Sequence, residues 1–359
     1  MIKRILILVF VFISSIAAQA QINTNRQISG QVVGKPVVAD TILFTYGSIN
    51  KKYYKQRLNY ALLKSNQYVV QNNLTYPVMF KIAFASEKGI LVWRNGDYFI
   101  DGSTNNVKID NKYDNCNEVN GVTANEYQLK FIPFVTKGTN YDCKSNYLSD
   151  LFYDSNNKAD NILLNYIKTF PGSYVALWKL IERFSSYGQS SIRQQALASF
   201  SNKIKQGVLW TILDKDFKET KIKEGEVFPS VALKTIDLKP TKFILPKAKY
   251  ILIDFWFARC RPCLDTIPVL KKLYNDYKEK GFEIVSISVD ETINIPIWQK
   301  RIKEHALIWT QYLEENNFRS NELGIKSYPT FILLNDKGIV INKDFDLHYL
   351  DNYLNKNLW

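Results

Sequence analysis

Three regimes of hydrophobic patterning follow one another along the 359-residue chain. From Gln27 to about Ile132 the apolar residues come in short alternating or β-branched runs: Ile28-Ser29-Gly30-Gln31-Val32-Val33, Thr41-Ile42-Leu43-Phe44, Val78-Met79-Phe80-Lys81-Ile82, Gly89-Ile90-Leu91-Val92-Trp93 and Val107-Lys108-Ile109. Asn95-Gly96-Asp97 and Asp101-Gly102 read as the polar turns between them. A period of two bounded by turn residues predicts half-buried strands, here a small antiparallel, β-sandwich-like domain. From Tyr147 to about Thr220 the period lengthens. Ile162, Leu163, Tyr166, Ile167 and Phe170 recur at three and four, Phe170-Pro171-Gly172-Ser173 breaks the run, and helical spacing resumes over Tyr174–Phe184 and Ile192–Leu213. The aromatic residues of this segment are expected to pack a core rather than line a cofactor pocket.

From Val227 onward the order reads strand, strand, helix, strand, helix, strand, strand, helix. Ile251–Phe257 is the central buried strand, and Leu264, Ile267, Leu270, Leu273, Tyr274 and Tyr277 mark one helix face. Phe282–Val289, rich in β-branched residues, predicts a parallel strand covered on both sides. Asn294–Ala306 reads as an inserted helix. Thr330–Leu334, Asp336-Lys337-Gly338 and Ile339–Ile341 form a hairpin, and Leu347–Leu358 a closing helix.

A chain of this length exceeds one ordinary core. The expected division is a leader over 1–20, a β-rich domain over 21–137, a helical segment and linker over 138–225, and an α/β domain over 226–359. The leader carries Lys3 and Arg4, an apolar run from Ile5 to about Ala17, and Ala18-Gln19-Ala20. That order matches a cleaved secretory signal, and the run is shorter than the ~20 residues of a spanning helix. Export follows as the expectation. The formal charge of +13 falls by two, to +11, when Lys3 and Arg4 leave. The lysines are scattered among acidic and aromatic residues, so this charge reads as a solvated surface rather than a nucleic-acid face.

Cysteine placement changes the picture most. Cys260-Arg261-Pro262-Cys263 follows directly on the central strand, which puts two thiols where a helix begins. Unpaired amides and the partial positive charge of a helix start favour a thiolate there. A zinc site needs four ligands, and the chain offers only the distant Cys116, Cys143, His305 and His348. A dithiol that cycles to a disulfide needs its own two sulfurs alone, so no metal and no cofactor is expected. In an oxidising compartment Cys116 and Cys143, in polar loops, either bridge or stay as separate thiols. The first thiol is expected at the exposed helix start and the second turned inward. This makes Cys260 the attacking and Cys263 the resolving sulfur. Pro262 suits the first turn, whereas Pro268 removes a bond to Leu264 and is expected to kink the helix. Arg261, read as an exposed charge ~7 Å from the thiolate at an effective dielectric of ~40, contributes about 1 kcal/mol, under about one pKa unit. The potential then shifts by only about 20–30 mV. Arg259 adds to this or serves as a docking or solubility charge.

Asp254-Phe255-Trp256-Phe257-Ala258-Arg259-Cys260-Arg261-Pro262-Cys263, together with Tyr328-Pro329-Thr330, resembles the active-site segment and cis-proline loop of the thioredoxin superfamily. Val285-Ser286-Ile287-Ser288-Val289-Asp290 and Trp298 resemble the strand and inserted helix of its exported TlpA/ResA-like thiol–disulfide oxidoreductases. The resemblance covers residues 226–359 and implies a thioredoxin-like α/β domain, a central mixed sheet flanked by helices. Gln27-Ile28-Ser29-Gly30 and Tyr98-Phe99-Ile100-Asp101-Gly102 resemble a β-rich domain of undefined function that precedes such domains in some Gram-negative bacteria. By resemblance Asp254 is the inner carboxyl that accepts the proton of Cys263. The alternative is a carboxylate satisfied by a nearby lysine. Pro329, if cis, presents a backbone edge to a substrate strand. The resemblance also implies a periplasmic or envelope-associated reductant of protein disulfides, supplied with electrons by a membrane thiol–disulfide transporter. Two departures stand out: Arg259 replaces a frequent Trp, and Thr266 a frequent Glu. Two rivals remain, a thiol peroxidase and a binding protein with an accessory thioredoxin domain. Neither cysteine has the Pro-x-x-x-Thr/Ser-x-x-Cys setting of a peroxiredoxin.

Overall fold

The computed structural model describes residues 26–34, 39–86, 91–153, 157–325, 327–343 and 345–358. The expected leader, residues 1–20, and Gly89 and Ile90 of one expected strand lie outside the described residues. The described chain divides into two compact units, one of residues 26–45 and 54–127, the other of residues 46–53 and 128–358.

The first unit holds β1 (Gln27–Val33), β2 (Thr41–Thr45), β3 (Ala61–Leu62), β4 (Gln67–Gln71), β5 (Val78–Ala85), β6 (Leu91–Ile100), β7 (Asn106–Asp110), β8 (Glu118–Val119) and a short helix α1 (Val122–Glu126). The strands make two four-stranded sheets, ordered β4-β1-β7-β8 and β3-β2-β5-β6. Period-two patterning sets the faces: in β1, Ile28, Gly30 and Val32 are buried while Gln27, Ser29 and Gln31 are exposed. Two expectations are corrected. Pairing is not purely antiparallel, because β1 runs parallel to β7 with Gly30 opposite Val107. The long connection between these strands permits that crossover, which a hairpin loop would not. Asn95-Gly96-Asp97 does not turn but lies inside β6, where the register against β5 slips between Phe80 and Ile82. Lys81, at this bulge, sends its ammonium to the Asn95 carbonyl (3.0 Å) and to the Asp97 carboxylate. Gly96 has a packing reason, since a Cβ there would stand 1.9 Å from the Asp114 carbonyl oxygen.

In the second unit the helical spacing becomes α2 (Ile132–Val135), α3 (Tyr147–Tyr153), α4 (Asn157–Thr169), α5 (Tyr174–Tyr187), α6 (Ser191–Ala198), α7 (Asn202–Lys205) and α8 (Val208–Glu219). Leu163, Tyr166 and Ile167 are the buried stripe of α4. Ser173, just past the predicted break, caps α5 by accepting from the Ala176 N–H at 2.9 Å. The stretch Ile192–Leu213 is three helices rather than one, interrupted at Ser199–Ser201 and at Gln206-Gly207. Hydrophobic spacing did not foretell the charges inside. Asp160 of α4 accepts from Arg183 Nε of α5 (2.9 Å) and from Arg193 Nη1 of α6 (2.7 Å), with all three side chains fully buried. Burial works against the ionised carboxyl, but the two guanidiniums outweigh it and hold Asp160 below the usual carboxylate range.

The remainder is a seven-stranded mixed sheet with helices on it. Its elements are β9 (Ala232–Lys234), β10 (Pro240–Lys242), β11 (Tyr250–Trp256), α9 (Arg261–Tyr277), β12 (Phe282–Ser288), α10 (Ile295–Glu304), β13 (Thr310–Leu313), α11 (Phe318–Leu323), β14 (Thr330–Asn335), β15 (Val340–Lys343) and α12 (Leu347–Asn357). The sheet order is β10-β9-β13-β12-β11-β14-β15. β11, β12 and β13 are parallel, and β14 pairs antiparallel with β11. Alternation along β11 divides two cores. Leu252 and Trp256 pack with Ile267, Leu270 and Leu273 of α9 and with Leu350 and Leu354 of α12. Ile251, Ile253 and Phe255 pack on the other face with Val285 and Ile332. Asp254, between Leu252 and Trp256 in this alternation, therefore faces the α9 side. β13 and α11 were absent from the predicted order, since four and six residues show too little of a period; β15, equally short, was read from the Asp336-Lys337-Gly338 turn before it.

Candidate active site

β11 ends at Trp256, and Phe257-Ala258-Arg259 carries the chain into α9. Cys260 is the N-cap of that helix, and its Sγ accepts from the Cys263 N–H at 3.2 Å. Arg261 and Pro262 fill the first helical positions, where a missing N–H costs no helical bond. Cys260 and Cys263 are joined by a disulfide, Cα to Cα 5.2 Å. The expectation of an exposed first sulfur is corrected for this state: Cys260 is 4% and Cys263 3% exposed. Capping is the reason, because the cap position turns Sγ back under the first turn. What faces solvent is the rim formed by Arg259, Arg261 and Pro262. Thr266, where the resemblance has Glu, spends its hydroxyl on the Cys263 carbonyl at 2.7 Å. Pro268 lies inside α9, which continues to Tyr277.

Arg261 is 83% exposed, as read from the sequence, but it is not a lone charge. Its Nε lies 2.9 Å from Asp265 Oδ1, one turn along the same helix. Arg259 donates to Asn294 Oδ1 at 3.2 Å. A residue without a foreseen role holds the loop between these arginines and the sheet. Buried Asp290 accepts at Oδ2 from the Ala258 N–H (2.8 Å) and from Ser288 Oγ (2.6 Å). Burial raises its carboxyl above the usual range against the lowering effect of those bonds.

Asp254 is buried on the α9 face, and that burial pushes its carboxyl up to about 7 against a lowering hydrogen bond from Ser286. Ser286 Oγ stands 2.8 Å from Asp254 Oδ2 and accepts from Trp309 Nε1 at 2.9 Å. The partner seen among the described residues is the Ser286 hydroxyl rather than the lysine of the alternative reading. Ser286 and Trp309 were missed. Their one sequence signal was a hydroxyl inside the β-branched run Val285-Ser286-Ile287, in register with Asp254.

The loop before β14 completes the arrangement. The Tyr328–Pro329 bond is cis, and Phe255 pairs with Thr330, so the proline lies beside the end of β11. Tyr328 packs edge-on against Phe257, ring centroids 5.5 Å apart, and donates to Asn317 Oδ1 at 2.9 Å. The disulfide, Asp254 and Pro329 thus gather around one end of the central strand. Cys116 and Cys143 lie elsewhere in the sequence, and neither is a free thiol. Among the described residues no helix is long and apolar enough to cross a membrane.

Residues 248–340 match the family model described as thioredoxin-like. This part of the chain is a thioredoxin-like domain. The protein is a thiol–disulfide oxidoreductase, in line with the relatives that share the domain. The thiol-disulfide oxidoreductase ResA of Bacillus thuringiensis subsp. konkukian is 28% identical over 142 residues, 39% of this chain and 81% of the relative. The thioredoxin-like protein YneN of Bacillus subtilis is 26% identical over 127 residues, 34% of this chain and 72% of the relative. The crystal structure of the thioredoxin domain of a thiol-disulfide oxidoreductase from Bacteroides vulgatus is 30% identical. It covers 38% of this chain and 98% of that one, with a TM-score of 0.34.

Proposed function

We propose that this protein is exported and reduces disulfides in protein partners through Cys260 and Cys263. The observation that carries the reading is the disulfide at the cap of α9, with a buried carboxyl on the strand behind it. In the reduced protein, the Cys260 thiolate attacks one sulfur of a partner's disulfide. That bond breaks, and the partner's second sulfur leaves as a thiolate and takes a proton. Cys263 then gives its proton to Asp254 and attacks the Cys260 sulfur. The partner departs with two electrons, and the Cys260–Cys263 disulfide is restored. Both sulfurs share one helical turn, which makes the second attack fast. A carboxyl poised near neutrality suits a base that must accept and return a proton.

The backbone beside Pro329 offers an edge on which an extended substrate strand pairs. Electrons return from a thiol donor, a membrane thiol–disulfide transporter on the export reading. Export rests on the leader-like residues 1–20, and a periplasmic or envelope-associated location follows from it. The division into a β-rich domain over 21–137, a helical part over 138–225 and a thioredoxin-like domain over 226–359 remains the reading of domain limits. Within it Cys116 and Cys143 form a structural bridge. The test is reduction of a protein disulfide followed by turbidity: Cys260→Ser abolishes the activity, whereas Cys116→Ser leaves most of it. Equal loss from both would place the chemistry elsewhere.

A further inference from the structure

The role of Asp254 above leaves open what fixes its two oxygens, and the surrounding hydrogen bonds answer that. An indole N–H can only donate. Trp309 Nε1 donates to Ser286 Oγ at 2.9 Å, so the Ser286 hydroxyl directs its own proton to Asp254 Oδ2 at 2.8 Å. All three residues are buried, and water does not compete for these bonds. The chain of donors has one direction and ends on one carboxyl oxygen. Among the described residues, no hydrogen bond reaches Oδ1.

We propose that Ser286 and Trp309 are positioning residues for the Asp254 carboxyl. By occupying Oδ2, they leave Oδ1 as the oxygen that takes and returns the proton, and they set the pH at which it does so. The inference rests on Asp254 being the base of the exchange reaction, and it adds the device that orients that base. The backbone supports it. Asp254 and Ser286 are register partners on β11 and β12, and Trp309 immediately precedes β13, which pairs with β12 next to Ser286. The Trp309 ring is held in turn against Tyr274 of α9, centroids 5.4 Å apart.

The groups around Asp254 make the effect readable. On α9 the titratable side chains of this core are Cys260 and Cys263, then Tyr274 and Tyr277. Tyr250 begins β11, Tyr328 precedes β14, and α12 contributes Tyr353. Glu283 of β12 is engaged with the Tyr274 hydroxyl. Among the described residues no charged neighbour shifts the titration of Asp254; burial raises it and Ser286 lowers it. A charge-assisted bond favours the ionised carboxyl, and a donor behind the hydroxyl strengthens that bond. Loss of either therefore moves the titration upward.

The experiment follows the 13C carboxyl resonance of Asp254 against pH in the full-length oxidised protein, where neither active-site cysteine titrates. Asp254→Asn identifies the signal. Ser286→Ala should raise the midpoint by about one pH unit. Trp309→Phe, which keeps a ring against Tyr274, should raise it by less, and Ser286→Thr should restore the wild-type midpoint by returning the hydroxyl. In the reduced protein, the pH profile for resolving a mixed disulfide should shift with the same order of variants. An unchanged or lowered midpoint in folded Ser286→Ala would overturn the proposal, as would a Trp309→Phe midpoint equal to wild type. A wild-type resolving rate that ignores the Asp254 midpoint would instead remove the role of Asp254 as base, while the oxidised-state titration would still report on Ser286 and Trp309.

Discussion

A buried carboxyl whose hydrogen-bond partner among the described residues is a hydroxyl makes Asp254 the residue with the most to reveal. It is buried and titrates near 7 in the folded chain, against about 4 for an unfolded aspartate. Between those limits the folded state binds the extra proton. The stability that Asp254 contributes through this proton is therefore fullest below about pH 4, declines as pH rises through about 7, and levels off beyond. Asp254→Asn should abolish this decline, a difference of up to about 4 kcal/mol across the window at about 1.4 kcal/mol per pH unit. Urea unfolding of the oxidised protein at several pH values measures it. Parallel pH dependence in the two proteins would contradict the assignment. Arg261 gives a contrasting, small expectation. Its exposed pairing with Asp265 dilutes the charge that the sequence alone suggested. Arg261→Gly should raise the thiolate midpoint of Cys260 by less than about one unit and make the couple more reducing by no more than about 30 mV. Both shifts should shrink in high salt. Thiolate absorbance against pH and equilibration with glutathione would read them.

Among the elements, legibility followed length and period. β11 and β12 were readable as unbroken runs of seven mostly apolar residues, buried on both faces, and α9 and α12 as longer segments with helical spacing. β13 and α11 were not, being too short. The pattern misjudged Asn95-Gly96-Asp97 because composition marks turns, whereas the β5–β6 register slip uses the same residues to admit Lys81. The site was legible as far as its covalent motif. Cys260 and Cys263 stood out by their spacing and Asp254 and Pro329 by resemblance, but the bonds of Asp290, Ser286 and Trp309 join residues that only the fold brings together. The same holds for the helices, where the Asp160–Arg183–Arg193 cluster joins α4, α5 and α6. Removing the Asp160 carboxylate takes away a charge that both buried guanidiniums share, so Asp160→Ala should destabilise this part of the chain by about 3–5 kcal/mol. Urea unfolding read by far-UV circular dichroism tests this. A change under about 1 kcal/mol would mean the cluster is wetter than its burial indicates.

Seen whole, the chain combines a catalytic domain of known kind with more than 200 preceding residues that carry no chemical motif. On the proposed function the reaction lies entirely in the C-terminal thioredoxin-like domain, on a pair of sulfurs at the cap of α9. The most direct test uses the full-length Cys263→Ala variant, reduced and then mixed with a protein disulfide. With the resolving sulfur gone, Cys260 should hold its partner in a one-to-one mixed disulfide. Intact-mass and peptide mass spectrometry should place that bond at Cys260, dithiothreitol should release it, and Cys260→Ser combined with Cys263→Ala should form none. An adduct mapped to Cys116 or Cys143, or no adduct while the wild type still reduces the same substrate, would contradict the assignment.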